Sequence, residues 1–193
     1  MGTENIYVFL FNGFSDWEIA YLTPELKKSE KASLKYFTTD GLEITSVGGL
    51  KIKPDLSIKQ LNIDNISVLV LPGGNAWEDK SIKGIDKLVE KLNSKNKTIA
   101  AICAATTFLG QKGYLDNVKH TSNALEYLKH MAPKYKGEQK YQSESSVTDR
   151  NIITANGISP IEFAREVFKK TKLHNPKDIE KWFQLFKNGI WVE

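Results

Sequence analysis

The chain has 193 residues, of which 40% are hydrophobic and 26% charged, and its formal net charge is +4. That balance fits one folded domain with a substantial core and argues against a disordered or membrane-spanning chain. The lysines are scattered as on solvated helix faces, not gathered with aromatics on one face, so no nucleic-acid surface is expected.

Cys103 is the only cysteine, which rules out an internal disulfide and fits a reducing cytoplasm. No apolar run approaches spanning length, and the start lacks the basic-then-apolar layout of a secretory leader. His120, His130 and His174 have no cysteine partners at ligand spacing, so neither a metal nor another cofactor is expected.

Along the chain, strand-like and helix-like segments alternate. Residues 5–11 form a continuous apolar run that reads as a central strand. Asp16 is placed to cap a helix carrying Trp17, Ile19, Ala20 and Leu22, with Pro24 interrupting or restarting it. Residues 33–39 alternate as a strand, and residues 43–46 and 51–53 suggest a hairpin across Gly48 and Gly49. Residues 68–71 read as a short buried strand stopped by Pro72-Gly73-Gly74. Residues 81–95 are amphipathic, with Ile82, Ile85, Leu88, Val89 and Leu92 at helical spacing.

The run before Cys103 reads as a buried parallel strand, and the run after it as a helix stopped at Gly110. A brief strand is expected at 118–121, then a helix capped by Asn123 through Leu125, Leu128 and Met131. Residues 134–145 read as a surface excursion. Strands at 147–149 and 152–155 flank a turn at Arg150-Asn151. Ser159-Pro160 opens a helix to Lys170 with a layout like a capping box. Residues 171–193 carry a last helix rich in aromatics (Trp182, Phe183, Phe186), packed on the domain or on a second subunit.

Alternating strands and helices predict an α/β doubly wound, mostly parallel sheet with helices on both faces. In such sheets, sites lie beyond the carboxyl ends of the strands. The loops 12–18, 72–77 and 103–106 would meet there. A cysteine at a strand-to-helix corner is forced outward beside backbone N–H groups, the layout of a nucleophile elbow. The plainer use of such a residue is as a small buried core filler.

Together these loops resemble the ThiJ/PfpI superfamily, the class I glutamine amidotransferase-like group, whose fold is flavodoxin-like. The resemblance covers residues 4–170. It rests on residues 11–18 after the first strand, Leu71-Pro72-Gly73-Gly74, Ala101-Ile102-Cys103-Ala104-Ala105 at the elbow, and residues 155–164 at the last strand-to-helix junction. It implies Cys103 as nucleophile and Glu18 as its acid–base partner, sharing one proton. Outside the resemblance, Glu18 equally suits the dipole of a helix N-terminus. N–H groups of Gly73, Gly74 and Ala104 would form an oxyanion hole, although a Gly-Gly pair is also an ordinary turn. Asn75, Thr106, Asn123 and His120 complete the expected pocket.

Hydrolytic members carry a histidine directly after the cysteine, where this chain has Ala104. Others draw one from a strand end, and the corresponding position here is Asn123. Asn123 cannot take up a proton near neutral pH. His120 lies three positions earlier, on the opposite face of a regular strand, and would enter only if the chain bends.

A cysteine-dependent enzyme acting on a small carbonyl or amide-type molecule is therefore expected, with amidase, glyoxalase-like or hydratase chemistry and no Cys–His protease dyad. The alternative is a non-enzymatic redox or stress protein that uses oxidation of Cys103. The resemblance also implies a homodimer.

Overall fold

The computed structural model describes residues 3–191. Strand β1 (Glu4–Phe9) runs through a 3-10 turn at Asp16–Ile19 into α1 (Leu22–Lys28) and β2 (Ala32–Thr38). A two-stranded antiparallel hairpin, β3 (Ile44–Thr45) and β4 (Lys51–Ile52), precedes the short edge strand β5 (Leu56–Ser57). The chain continues through β6 (Val68–Leu71), α2 (Asp86–Ser94), β7 (Thr98–Ile102), α3 (Ala105–Gln111) and α4 (Leu125–Met131). It closes with β8 (Ser146–Asp149), β9 (Ile152–Ala155), α5 (Pro160–Thr171) and α6 (Pro176–Asn188).

Seven strands form one sheet in the order β5-β2-β1-β6-β7-β9-β8. All pairings in it are parallel except β8 with β9. Strands β6, β7 and β9 are buried at every residue, which is why they read as unbroken apolar or small runs. Helices α1, α5 and α6 pack together, while α2 and α3 pack on β7 and α3 meets α4. The sheet is thus covered on both faces, as expected for a doubly wound α/β domain. After β1 the chain moves outward to β2. It then returns to β6 on the other side, so the strand order reverses beside β1. A crevice opens at the carboxyl ends of strands flanking such a reversal.

Helix α6 lies on α5. Its Ile179 and Phe183 are buried, Trp182 meets Phe168 edge-on, and Phe186 meets Tyr21 from α1's N-terminus.

Several local expectations are corrected, each by a tertiary partner. Asp16 does not cap a helix. Its carboxylate accepts from the Ser46 hydroxyl (2.5 Å) and the Gly48 N–H (3.1 Å), which ties the hairpin loop to the loop after β1. Helix α2 begins at Asp86, because Gly84 adopts φ +85° and the residues before it are irregular. Gly110 does not stop α3. It lies buried where a Cβ would meet Leu128 at 3.0 Å, so it lets α3 and α4 approach, and Gly113 at φ +77° ends the turn. Residues 118–121 form no strand, only a single bridge from His120 to Tyr141 within the expected surface excursion. Ser159 precedes Pro160 at the start of α5 but makes no side-chain capping bond. Asn123 does not cap α4 either, since its side chain is used at the site.

Candidate active site

Cys103 sits at the sharp turn between β7 and α3. The strand pairing ends with Ile102 opposite Ala155, and the Cys103 N–H still donates to the Ala155 carbonyl at 3.0 Å. The next torsion breaks the strand, for Cys103 has φ +59°, a left-handed conformation that costs a non-glycine residue strain. Such strain persists only where the surroundings over-determine it. Here the Thr106 N–H (3.0 Å) and hydroxyl (2.6 Å) both bond the Cys103 carbonyl, and the Thr106 hydroxyl also meets Ser122 at 2.6 Å. Thr106 is fully buried, so it braces the elbow from behind and does not line the pocket.

Glu18 arrives from the 3-10 turn after β1 and is wholly buried. The Gly73 N–H donates to its Oε2 at 2.5 Å, while Oε1 has no hydrogen-bond partner among the described residues. The contact depends on glycine, since a Cβ at Gly73 would fall 2.7 Å from the Cys103 Cβ and 2.8 Å from both Glu18 oxygens. Gly73 is thus committed to the carboxyl and leaves the expected oxyanion hole, for which Gly74 and Ala104 remain.

Burial pushes Glu18 up to about 7, against a lowering by the Gly73 N–H, by Cys103 and by Ser15. Burial, followed by the charge of Glu18, pushes the Cys103 thiol up to about 12, opposed by Asn123 and by the Ala104 N–H. No cation sits among these causes, so the thiol is not acidic on its own account. Acidity belongs to the pair, which loses one proton near neutrality and strongly resists losing the second.

Asn123 takes the place beside the sulfur. Its Nδ2 donates to the Cys103 Sγ at 3.3 Å, and its Oδ1 accepts from the Gly157 N–H at 2.9 Å. Gly157 leaves room for the sulfur, because a Cβ there would lie 2.7 Å from it. The Gly157 carbonyl in turn accepts from the Trp17 indole at 3.2 Å. Trp17, Cys103, Asn123, Asn156, Gly157 and Ile158 line an open pocket of about 500 Å³.

Trp17, Asn156, Gly157 and Ile158 were not among the expected site residues, although all four lie in the segments that carry the family resemblance. Besides Thr106, two expected pocket residues are elsewhere. His120 is fully buried and bonds the Val118 carbonyl (2.8 Å) and the Tyr135 hydroxyl (2.6 Å); burial lowers its pKa. Asn75 is an exposed residue opening the turn after Gly74 and does not line the Cys103 pocket. Among the described residues there is no cluster of three or more His, Cys, Asp or Glu side chains that could hold a metal, and no helix is long and apolar enough to cross a membrane.

The chain belongs to the DJ-1/PfpI family, whose sequence profile matches residues 4–170. The chain is 42% identical to the uncharacterized protease YoaZ of Bacillus subtilis, over 97% of this chain and 92% of that protein. It is 33% identical to the deglycase PfpI of Pyrococcus furiosus, over 58% of this chain and 67% of that protein. Its fold is similar to the crystal structure of the DJ-1 superfamily protein Atu0886 from Agrobacterium tumefaciens, with a TM-score of 0.89 and 35% identity, covering 97% of this chain and 99% of that one.

Proposed function

We propose that the protein is a cysteine-dependent enzyme for small, uncharged carbonyl compounds, with Glu18 as its only acid–base group. The observation that carries this reading is the coupling of Cys103 to a buried carboxyl whose pKa is raised to about 7 and whose Oε1 is unpartnered. A proton carrier is most effective when its pKa lies near the working pH. In the singly ionised pair, the Sγ–H proton passes to Glu18 as sulfur adds to the carbonyl carbon. The carbonyl π pair becomes an alkoxide, which takes the proton back from Glu18. This first intermediate is a hemithioacetal bound to Cys103, and Glu18 ends the addition step as it began. The Gly74 and Ala104 N–H groups are the candidates for holding the alkoxide.

Amide hydrolysis asks for more. A leaving amine must be protonated and a water activated, and His120 is occupied by Val118 and Tyr135. Among the described residues no charged side chain lines the Cys103 pocket, which favours neutral substrates over carboxylates. The names of the relatives, protease and deglycase, are compatible with attack by cysteine on a carbonyl-derived carbon.

A panel of 2-oxoaldehydes, simple amides and peptides tests this. The expected result is consumption of neutral 2-oxoaldehydes, abolished in Cys103→Ala, weak action on glyoxylate, and peptide cleavage at background. Efficient peptide cleavage lost in Cys103→Ala, with no action on aldehydes, would refute it.

The unpartnered Glu18 Oε1 also favours a second reading as a redox-responsive protein, because a neutral carboxyl there can donate to a sulfinate on Cys103. A homodimer belongs to either reading. The exposed Trp17 and Ile158 at the pocket rim, with Val47 and Leu50 on the hairpin, supply apolar surface for it.

A further inference from the structure

We propose that a cavity between residues 76–86 and helix α3 is a second small-molecule site, separate from the Cys103 pocket, and that it takes a one- or two-ring aromatic carboxylate. The two cavities share no lining residue, so nothing about this site depends on the chemistry of Cys103.

The cavity lies where an expected stretch of helix fails to form. Apolar spacing predicts a helix from residue 81, but Lys80 (φ +57°) and Gly84 (φ +85°) are left-handed, and α2 starts only at Asp86. Ile82 and Ile85 therefore line a space of about 270 Å³, together with Phe108 of α3 and Met131 of α4. Sites for drug-sized ligands run from about 300 to 1,000 Å³, so this one fits a smaller molecule. Trp77 supplies a fixed ring. Its indole N–H donates to the Pro72 carbonyl at 2.8 Å, and the Phe108 ring lies 5.2 Å away, tilted by 40°. With that N–H satisfied, the two side chains offer only π surface, which suits a flat ligand.

The polar lining selects the sign of charge. Lys80, Lys83 and Lys112 line the cavity against one acid, Asp86, which is already paired with Lys112. Lys83 donates to the Lys80 carbonyl at 2.9 Å. Asp79 lies outside the lining, and its carboxylate accepts from the Ser81 N–H. The Lys80 ammonium has no hydrogen-bond or ion-pair partner among the described residues. The Gln111 side-chain oxygen accepts from the Lys134 N–H at 3.3 Å, which leaves its NH₂ group to donate. The side-chain groups left over, an ammonium and an amide NH₂, are thus donors, and a carboxylate only accepts. Aromatic walls with donors beside them define a flat acid as the ligand.

The probe is naphthoate, titrated into isotope-labelled protein and followed by the NMR shifts of amide and indole N–H groups, with naphthalenemethanol as its uncharged counterpart. Naphthoate should shift the Trp77 indole signal and the backbone signals of residues 80–86 and 107–112 saturably, with a Kd of about 0.1–1 mM. The alcohol should bind at least about tenfold more weakly. Naphthoate should lose affinity by the same factor in a folded Lys80→Glu/Lys83→Glu protein, whose two changed residues are exposed. Cys103→Ala should bind naphthoate as the parent does. The site is overturned if no saturable shift occurs, if the shifts are confined to Trp17, Asn123 and Gly157, or if acid and alcohol bind equally. Unchanged affinity in the lysine variant overturns it as well, and none of these results touches the reading of Cys103.

Discussion

Glu18→Gln should gain about 2–3 kcal/mol of stability relative to the parent protein as pH is raised from about 5 to about 8. The cause is the cost of ionising a wholly buried carboxyl. Glu18 titrates near 4.5 in an unfolded chain and near 7 in the folded one. Between these values the native state holds a proton that the unfolded state has released. Stability is therefore fully present below about 4.5 and falls as pH rises through 7. Cys103 adds a second loss at alkaline pH, since an unfolded thiol ionises near 9 and the native one resists to about 12. The glutamine has no proton to lose. The melting-temperature difference, variant minus parent, should thus widen by roughly 5–10 °C between the two pH values. Taking the change with pH cancels any fixed packing cost of the substitution. A difference that stays constant from pH 5 to pH 8 would mean that Glu18 is ionised at an ordinary pKa and carries no proton at neutrality.

Gly73→Ala should disable the site more severely than any change at its rim. The added Cβ would fall 2.7 Å from the Cys103 Cβ and 2.8 Å from the Glu18 oxygens. A flexible carboxyl end could move aside, but the Cys103 Cβ is fixed to a strained elbow held at its carbonyl by Thr106. Something in the backbone must shift, at a cost of about 1–3 kcal/mol. That shift separates Glu18 from the Gly73 N–H and breaks the pair's geometry. Thermal melts should show a loss of several degrees, and Cys103 alkylation near neutral pH should fall by at least about tenfold. An alanine variant that melts within 2 °C of the parent and keeps its alkylation profile would show that the close approach at Gly73 is not needed.

The framework of this domain was legible because its signals are local. The apolar runs of β1, β6 and β7 announce strands buried on both faces, and their alternation with helices leaves few sheet topologies. The elbow was legible from an apolar run followed by Cys103 and small alanines, and Glu18 from its place after the first strand. What escaped the sequence is what depends on partners far along the chain. The cap expected at Asn123 gives way because its Oδ1 meets the N–H of Gly157, 34 residues later, although the resemblance had already set Asn123 in the pocket. Asp16 looks like a helix cap until the hairpin loop supplies Ser46 and Gly48. Gly110 reads as a stop signal because only the packing of α4 shows why the helix interior needs a glycine. Strand spacing set His120 on the face away from the pocket unless the chain bends; no regular strand forms there, and the ring turns away to Tyr135. The proton shared by Cys103 and Glu18 was legible only through the family resemblance, because no single-residue signal reports a property of two coupled groups.

The most direct test of a shared-proton Cys103–Glu18 pair is the rate of Cys103 alkylation by iodoacetamide as a function of pH, in the parent and in Glu18→Gln. The parent should show a step with its midpoint near 7, where the pair first ionises, well below the roughly 8.5 of a free cysteine. Glu18→Gln should lose that step and react only at a midpoint above the free-cysteine value, because a buried sulfur must then ionise alone. A single step near 8.5 in the parent, or superposable profiles for the two proteins, would contradict the account.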